Sequence, residues 1–169
     1  ALAALDGDGR IDLTALARRM GEIRRGRLCL YGPPGTGKTA FVHWLARALD
    51  LPLHSKRASD LIDPYVGMTE KNIARCFTRA RQEGALLLID EVDSFLQDRR
   101  KAHRSWEITA VNEMLTQMEH FQGIFIASTN LMDDLDQAAL RRFDIKARFD
   151  YLAPAQAKSL LEQCCDRLD

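Results

Sequence analysis

Apolar residues follow two rhythms along this chain: short unbroken runs, and stripes at helical spacing. The runs read as strands and the stripes as helices. Asp12 caps a first helix with the stripe Leu13, Leu16, Ala17 and Met20, closed by Gly21. Leu28-Cys29-Leu30-Tyr31 reads as a short buried strand, and Phe41, Trp44, Leu45 and Ala48 mark the helix after it. Leu51 to His54 reads as a second strand and Asp60 to Thr69 as a loop. Ile73, Cys76, Phe77 and Ala80 stripe a helix from Thr69 to Glu83, ended by Gly84. Ala85-Leu86-Leu87-Leu88-Ile89-Asp90 is the pattern of a central parallel strand covered on both faces. A helix marked by Ile108, Val111, Leu115 and Met118 follows, then a buried strand, Ile124-Phe125-Ile126-Ala127-Ser128. A last strand falls near Lys146 to Tyr151, and Pro154 opens a helix carrying Leu160, Leu161, Cys164 and Leu168. Strands alternating with helices predict an α/β fold: a parallel sheet with helices on both faces. No internal repeat or low-complexity tract interrupts the pattern.

The joint between the first strand and its helix carries chemistry. Gly32-Pro33-Pro34-Gly35-Thr36-Gly37-Lys38-Thr39 fits G-x-x-x-x-G-K-[ST], the phosphate-binding loop, in the strand–loop–helix context that the motif requires. Glycines let backbone N–H groups turn inward around an anion, and the helix N-terminus adds partial positive charge. Lys38 is expected to reach the β- and γ-phosphates, and the Thr39 hydroxyl to ligate Mg²⁺. The prediction is a chain that binds a nucleoside triphosphate.

Composition narrows the partners. The 169 residues suit one domain with a full core. Lys plus Arg equal Asp plus Glu at 24 each, so no global charge draws the chain to nucleic acid or membrane. No apolar run approaches membrane-spanning length, and no charged-then-apolar signal segment occurs within these residues. The chain opens on Ala1 rather than Met and reads as a piece of a longer protein. Cys29, Cys76, Cys164 and Cys165 form no C-x-x-C pair, and Cys29 and Cys76 fall on apolar faces as small hydrophobes. A reduced, cytoplasmic setting is the expectation. Asp6-Gly7-Asp8-Gly9-Arg10-Ile11-Asp12 has the look of a calcium loop, but that register puts Ala4 and Ala15 at the end positions, so it reads as a turn. Arg24, Arg25 and Arg27 read as solvated.

The run from Leu86 to Ile89 ends in Asp90-Glu91, an apolar strand delivering two acids downstream of a phosphate loop. Asp90, at the strand's carboxyl end, is placed to hold the Mg²⁺ shell, commonly through water. Glu91 is placed to polarise an attacking water as general base.

Four stretches in order, Gly32–Thr39, Ile89-Asp90-Glu91-Val92-Asp93, Ser128-Thr129-Asn130 and Leu140-Arg141-Arg142-Phe143-Asp144, together resemble the AAA family of AAA+ ATPases. The resemblance covers roughly Arg27 to Pro154. It implies a five-stranded sheet of order 5-1-4-3-2, ATP and Mg²⁺ as cofactors, and subunits in a ring, usually a hexamer, with ATP at the subunit boundary. Asn130 resembles the sensor residue whose amide meets the γ-phosphate or the attacking water. Arg141 and Arg142 resemble the arginine fingers that enter the neighbour's site. Lying adjacent rather than split by an insert, they resemble the severing and vesicle-sorting branch, and which is the principal finger stays open. Tyr65-Val66-Gly67 resembles the aromatic–hydrophobic–glycine pore loop that grips an extended polypeptide, with Met68 where the family often has Glu. On residue type alone, Tyr65 reads better as a packed tyrosine. Asp98 to Arg104 falls where the family has a second pore loop and reads equally as a solvated loop.

The resemblance further implies an N-terminal helical segment or linker over 1–24, a nucleotide-binding α/β subdomain over 25–153, and the start of a helical lid over 154–169. No position is assignable to a second sensor arginine. The leading expectation is an ATP-hydrolysing motor that remodels, unfolds or disassembles protein substrates as a homo-oligomeric ring. Alternatives are the motor module of an ATP-dependent protease, a DNA-acting ATPase, and a nucleotide-gated switch. No His-Glu-x-x-His signature occurs in the chain, neutral charge disfavours DNA, and intact Glu91, Asn130, Arg141 and Arg142 disfavour the switch.

Overall fold

A computed structural model describes residues 12–93, 105–131, 135 and 137–153, with the side chains of 105–107 and 137 left aside. The Asp6–Ile11 stretch, Asp98–Arg104 and the stripe Leu160, Leu161, Cys164, Leu168 lie outside the described residues. In chain order the elements are α1 (Leu13–Ile23), β1 (Gly26–Tyr31), α2 (Lys38–Ala48), β2 (Leu53–Arg57), a 3-10 turn (Ala58–Leu61), α3 (Met68–Gln82), β3 (Leu86–Asp90), α4 (Ser105–His120), β4 (Ile124–Thr129), α5 (Gln137–Leu140) and β5 (Ile145–Arg148).

All pairings in the sheet are parallel, and the strand order is β2-β3-β4-β1-β5, which is 5-1-4-3-2 from the other edge. From β1 the chain crosses to the far edge, returns through β3 and β4 beside β1, then places β5 on β1's free side. Order therefore reverses at β1, and β1, β3 and β4 end side by side. Such a switch point leaves a crevice at the carboxyl ends of the strands. The central strands β1, β3 and β4 are buried on both faces in the manner the unbroken apolar runs demand. Leu87 and Ile89 of β3 join Ile73, Phe77, Val111 and Leu115 of α3 and α4 on one face. Leu86 and Leu88 join Leu16, Met20, Phe41 and Leu45 of α1 and α2 on the other.

Several boundaries differ from the sequence reading, each for a local reason. Asp12 does cap α1, its Oδ1 accepting from the N–H groups of Thr14 and Ala15 at 2.9 and 3.1 Å. The helix nevertheless runs past Gly21 to Ile23 and closes at Arg24, a left-handed residue at φ 50° whose N–H returns to the Met20 carbonyl. Gly21 is small for packing: a Cβ there would lie 3.1 Å from Leu49 Cδ2. The second strand starts at Leu53 rather than Leu51, because Leu51 N–H still closes α2 on the Ala46 carbonyl. It runs to Arg57 with polar residues because it is an edge strand. The last strand is Ile145–Arg148, with Ile145 and Ala147 buried and Lys146 and Arg148 exposed, so it ends before Tyr151. On α2 the buried face is Phe41, Val42, Leu45 and Ala46. Trp44 and Ala48 instead face out, Trp44 stacking on Phe41 with centroids 5.7 Å apart. Ile108 of α4 is likewise exposed, where Ala110 and Met114 are buried. Arg27 is not a solvated residue but lies in β1, bound to Asp144.

Candidate nucleotide site

A cleft of about 360 Å³ opens at the carboxyl edge of the sheet, lined by residues 34–40 with Asp90, Glu91 and Asn130. Its floor is the phosphate loop between β1 and α2. Gly35 and Gly37 adopt φ of 76° and 90°, left-handed backbone that lets the loop curl around open space. Thr36 Oγ1 donates to the Pro33 carbonyl at 2.8 Å and holds the curl. Gly32 is required for a different reason: a Cβ there would sit 1.8 Å from the Phe149 carbonyl oxygen. The chain beyond β5 crosses this point so closely that only hydrogen fits. Gly32→Ala is expected to lower the unfolding free energy by about 3 kcal/mol or more, through a φ of 137° and a backbone clash. A urea midpoint unchanged from the native chain would show that the loop and the Phe149 backbone separate freely.

Lys38, the first residue of α2, is buried. Its Nζ donates to the carbonyls of Gly32 and Pro33, both at 2.8 Å, and to Asn130 Oδ1 at 2.9 Å. Burial lowers its pKa below the ordinary lysine value, and the carboxylates of Asp90 and Asp93 partly offset this. Polyphosphate oxygens would compete for those same donors with far more charge, so the residues fit that ligand.

β3 and β4 supply the acidic and polar wall. Thr39 Oγ1 donates to Asp90 Oδ2 at 3.2 Å. Asp90 Oδ1 accepts from the Glu91 N–H at 3.0 Å and from Ser128 Oγ. A hydroxyl beside a carboxylate at the cleft is a hard-oxygen donor set, and Mg²⁺ takes one or two such ligands while keeping its water. The donors fit that ion.

Glu91 sits at φ 58°, a left-handed conformation that costs a residue with a Cβ roughly 1–2 kcal/mol. The kink breaks strand geometry after Asp90, and Glu91 lines the cleft. Beyond it, Val92 N–H donates to the Ser128 carbonyl at 3.0 Å and Thr129 Oγ1 donates to Asp93. The strained segment is thus pinned to the end of β4. Sequence reading quoted Ser128, Thr129 and Asp93 without giving them these tasks. The signal was there: polar residues directly after the apolar run ending at Ala127.

Tyr65 and Val66 are 76% and 97% exposed, so Tyr65 is not packed in the core. Their loop has internal order. Asp63 N–H donates to Thr69 Oγ1 at 2.9 Å, Tyr65 N–H donates to Asp63 Oδ1 at 2.9 Å, and Gly67 turns at φ 77° into α3. Arg141 and Arg142 lie just before β5, whose start is beside the start of β1, at the opposite end of the sheet from the cleft. Arg142 is engaged, Nε donating to Glu119 Oε1 at 2.6 Å and Nη1 to the Ala138 carbonyl at 2.8 Å. The Arg141 side chain is exposed and makes no hydrogen bond or ion pair among the described residues.

Among the described residues, Cys29 and Cys76 do not line the cleft. Burial pushes the Cys29 thiol up to about 12, with Lys146 pulling slightly the other way, and Cys76 is raised for the same reason. Both are free. Among the described residues, no helix is long and apolar enough to cross a membrane.

The family model for the ATPase family associated with various cellular activities (AAA) matches residues 28–151. Over 142 residues the chain is 37% identical to y4kL, an uncharacterized AAA family ATPase of Sinorhizobium fredii, covering 79% of this chain and 43% of that protein. It is 37% identical over 144 residues to the ATP-dependent zinc metalloprotease FtsH of Marinobacter nauticus, covering 79% of this chain and 23% of that one. It is also 37% identical over 131 residues to the peroxisomal ATPase PEX6 of Rattus norvegicus, covering 72% and 13%. The chain spans less than half the length of each of these relatives. The matched span begins inside β1 and ends just past β5, enclosing the phosphate loop and the strand ends that face it. The chain belongs to the AAA family, and its chemistry is the binding and hydrolysis of ATP.

Proposed function

We propose that this domain is a motor unit that couples ATP hydrolysis to the remodelling, unfolding or disassembly of protein substrates, working as a homo-oligomeric ring, the hexamer of the wider family.

 

The observation that carries this reading is the exposed Tyr65-Val66 pair on a hydrogen-bonded loop of an ATPase. An aromatic ring held out to solvent on an ordered loop suits gripping a polypeptide with little sequence preference. In this reading Gly32–Thr39 bind the phosphates of ATP, with Lys38 on the β- and γ-phosphates. Thr39 and Asp90 hold Mg²⁺, which neutralises charge on the phosphate oxygens when bound. Glu91 takes the proton of the attacking water, and Asn130 orients that water or the γ-phosphate. Arg141, whose side chain has no partner among the described residues, enters the site of the next subunit, and Arg142 supports it. Residues 1–24 form an N-terminal helical segment or linker, 25–153 the nucleotide-binding subdomain, and 154–169 begin the lid.

Tyr65→Ala in the assembled full-length protein tests the reading. Basal hydrolysis should stay within a few-fold of native and the unfolding midpoint should not move, because the side chain is exposed. Unfolding of a fluorescent model substrate should collapse as each loop loses an aromatic contact worth roughly 1–3 kcal/mol. A stable variant that remodels substrate at the native rate sinks the threading role. The similarity to FtsH favours a second reading, the motor module of an ATP-dependent protease. ATP-dependent degradation by the full-length protein would select it over remodelling alone.

A further inference from the structure

We propose that Arg27 is a positioning residue for the Arg141–Arg142 pair, fixing the angle at which that pair leaves the sheet. The inference rests on the reading that Arg141 completes a neighbouring subunit's site. Arg27 is the second residue of β1. The β1–β5 register begins at Leu28 opposite Ile145, so one step back sets Arg27 opposite Asp144. There a side-chain clamp joins the backbone pairing. Arg27 Nε and Nη2 donate to Asp144 Oδ2 and Oδ1 at 3.2 and 3.0 Å. The Arg27 N–H donates to Oδ2 at 2.9 Å, and the Asp144 N–H donates back to the Arg27 carbonyl at 2.9 Å.

The clamp holds each partner in its charged form. Donating to the Asp144 carboxylate raises the Arg27 pKa against the effect of its burial. Burial pushes Asp144 up, but the side-chain and backbone hydrogen bonds from Arg27 outweigh it and leave the carboxyl below its usual range. Glu119, which binds Arg142, also acts on Arg27 through its charge. Between the two anchors lies Phe143, buried and stacked on Phe125 at 6.2 Å. Arg142, Phe143 and Asp144 are therefore each tied down, and Arg141 projects from the end of a fixed segment. The pair is partly exposed, so its contribution to stability is modest even with bidentate geometry. A misplacement of about 1 Å at a group acting on a transition state, by contrast, costs ~100-fold in rate.

The test uses full-length protein under assembling conditions, comparing Arg27→Ala, Arg27→Lys and Arg141→Ala. Arg27→Ala is expected to lower kcat roughly tenfold to a hundredfold. Affinity for a fluorescent ATP analogue should stay within about twofold and the unfolding midpoint within a few degrees. Arg27→Lys should recover part of the rate, because an ammonium keeps the charge but loses the fork. In mixed rings, Glu91→Gln subunits carrying native Arg27 should restore turnover to Arg27→Ala subunits, since the defect lies in what each subunit offers its neighbour. Native kcat in a stable Arg27→Ala assembly, alongside a collapse in Arg141→Ala, overturns the positioning role alone. Native kcat in assembled Arg141→Ala overturns the underlying shared-site reading. A loss in Arg27→Ala matched by loss of nucleotide affinity or of folding overturns the proposal in favour of a structural pair.

Discussion

Glu91→Gln is expected to bind ATP with near-native affinity and to hydrolyse it at least ~100-fold more slowly, the contribution typical of a general base. Lys38→Ala is expected to fail one step earlier, at binding. The difference lies in when each side chain acts. On the proposed reading Lys38 meets phosphate in the ground state, where a charge-assisted hydrogen bond is worth roughly 1.5–3 kcal/mol, or about 10- to 100-fold in affinity. Its loss also frees the carbonyls of Gly32 and Pro33 and the Asn130 amide oxygen, which Nζ draws together. As the proposed base, Glu91 would act mainly on the water during reaction, so the isosteric amide should spare the ground state. The substitution also leaves the left-handed backbone at φ 58° in place. Equilibrium titration with a fluorescent nucleotide and a phosphate-release assay separate the two effects. Undiminished hydrolysis in Glu91→Gln would remove it from the role of base.

Arg141→Ala should cost ~10³–10⁵ in kcat, the range for an arginine finger, equivalent to roughly 4–7 kcal/mol of barrier. Nucleotide affinity of the isolated subunit should not change, because Arg141 lies at the other end of the sheet from its own cleft. Arg142→Ala should cost less in direct chemistry, since its guanidinium is occupied by Glu119 and the Ala138 carbonyl. A site completed in trans also makes activity depend on assembly. Turnover per subunit of the excised domain should climb with concentration, and Arg141→Ala should flatten that climb. Dilution series followed by light scattering and phosphate release read both. A verified monomer with a constant rate per subunit would refute the shared site.

The fold was legible because its strongest signals are local. Leu86 to Asp90 and Ile124 to Thr129 are central strands, where burial on both faces forces an unbroken apolar run. The edge strands were harder to bound. At β2, polar Ser55, Lys56 and Arg57 pair with buried β3 on one side only, so composition does not mark where pairing begins. On α2, Trp44 looked like core by residue type, yet Val42 and Ala46 face the sheet. Hydrophobic identity says less about orientation than the seating of the helix does.

Lys38, Thr39, Asp90 and Glu91 could be found from sequence because each lies within a contiguous motif whose geometry is set by a strand end or a glycine turn. The gathering of those motifs with Asn130 in one cleft follows from β1, β3 and β4 being neighbours, a matter of strand order. Ser128 on Asp90, Thr129 on Asp93 and Phe149 against Gly32 link residues distant in sequence, so no spacing rule reaches them. The same holds for the arginines. The sequence by itself determined that Arg141 and Arg142 stand side by side before an Asp, with nothing to tell them apart. Only the tertiary structure decided that Glu119 and Ala138 occupy one and leave the other exposed, because ion pairing depends on which surfaces the packed sheet and helices bring within reach.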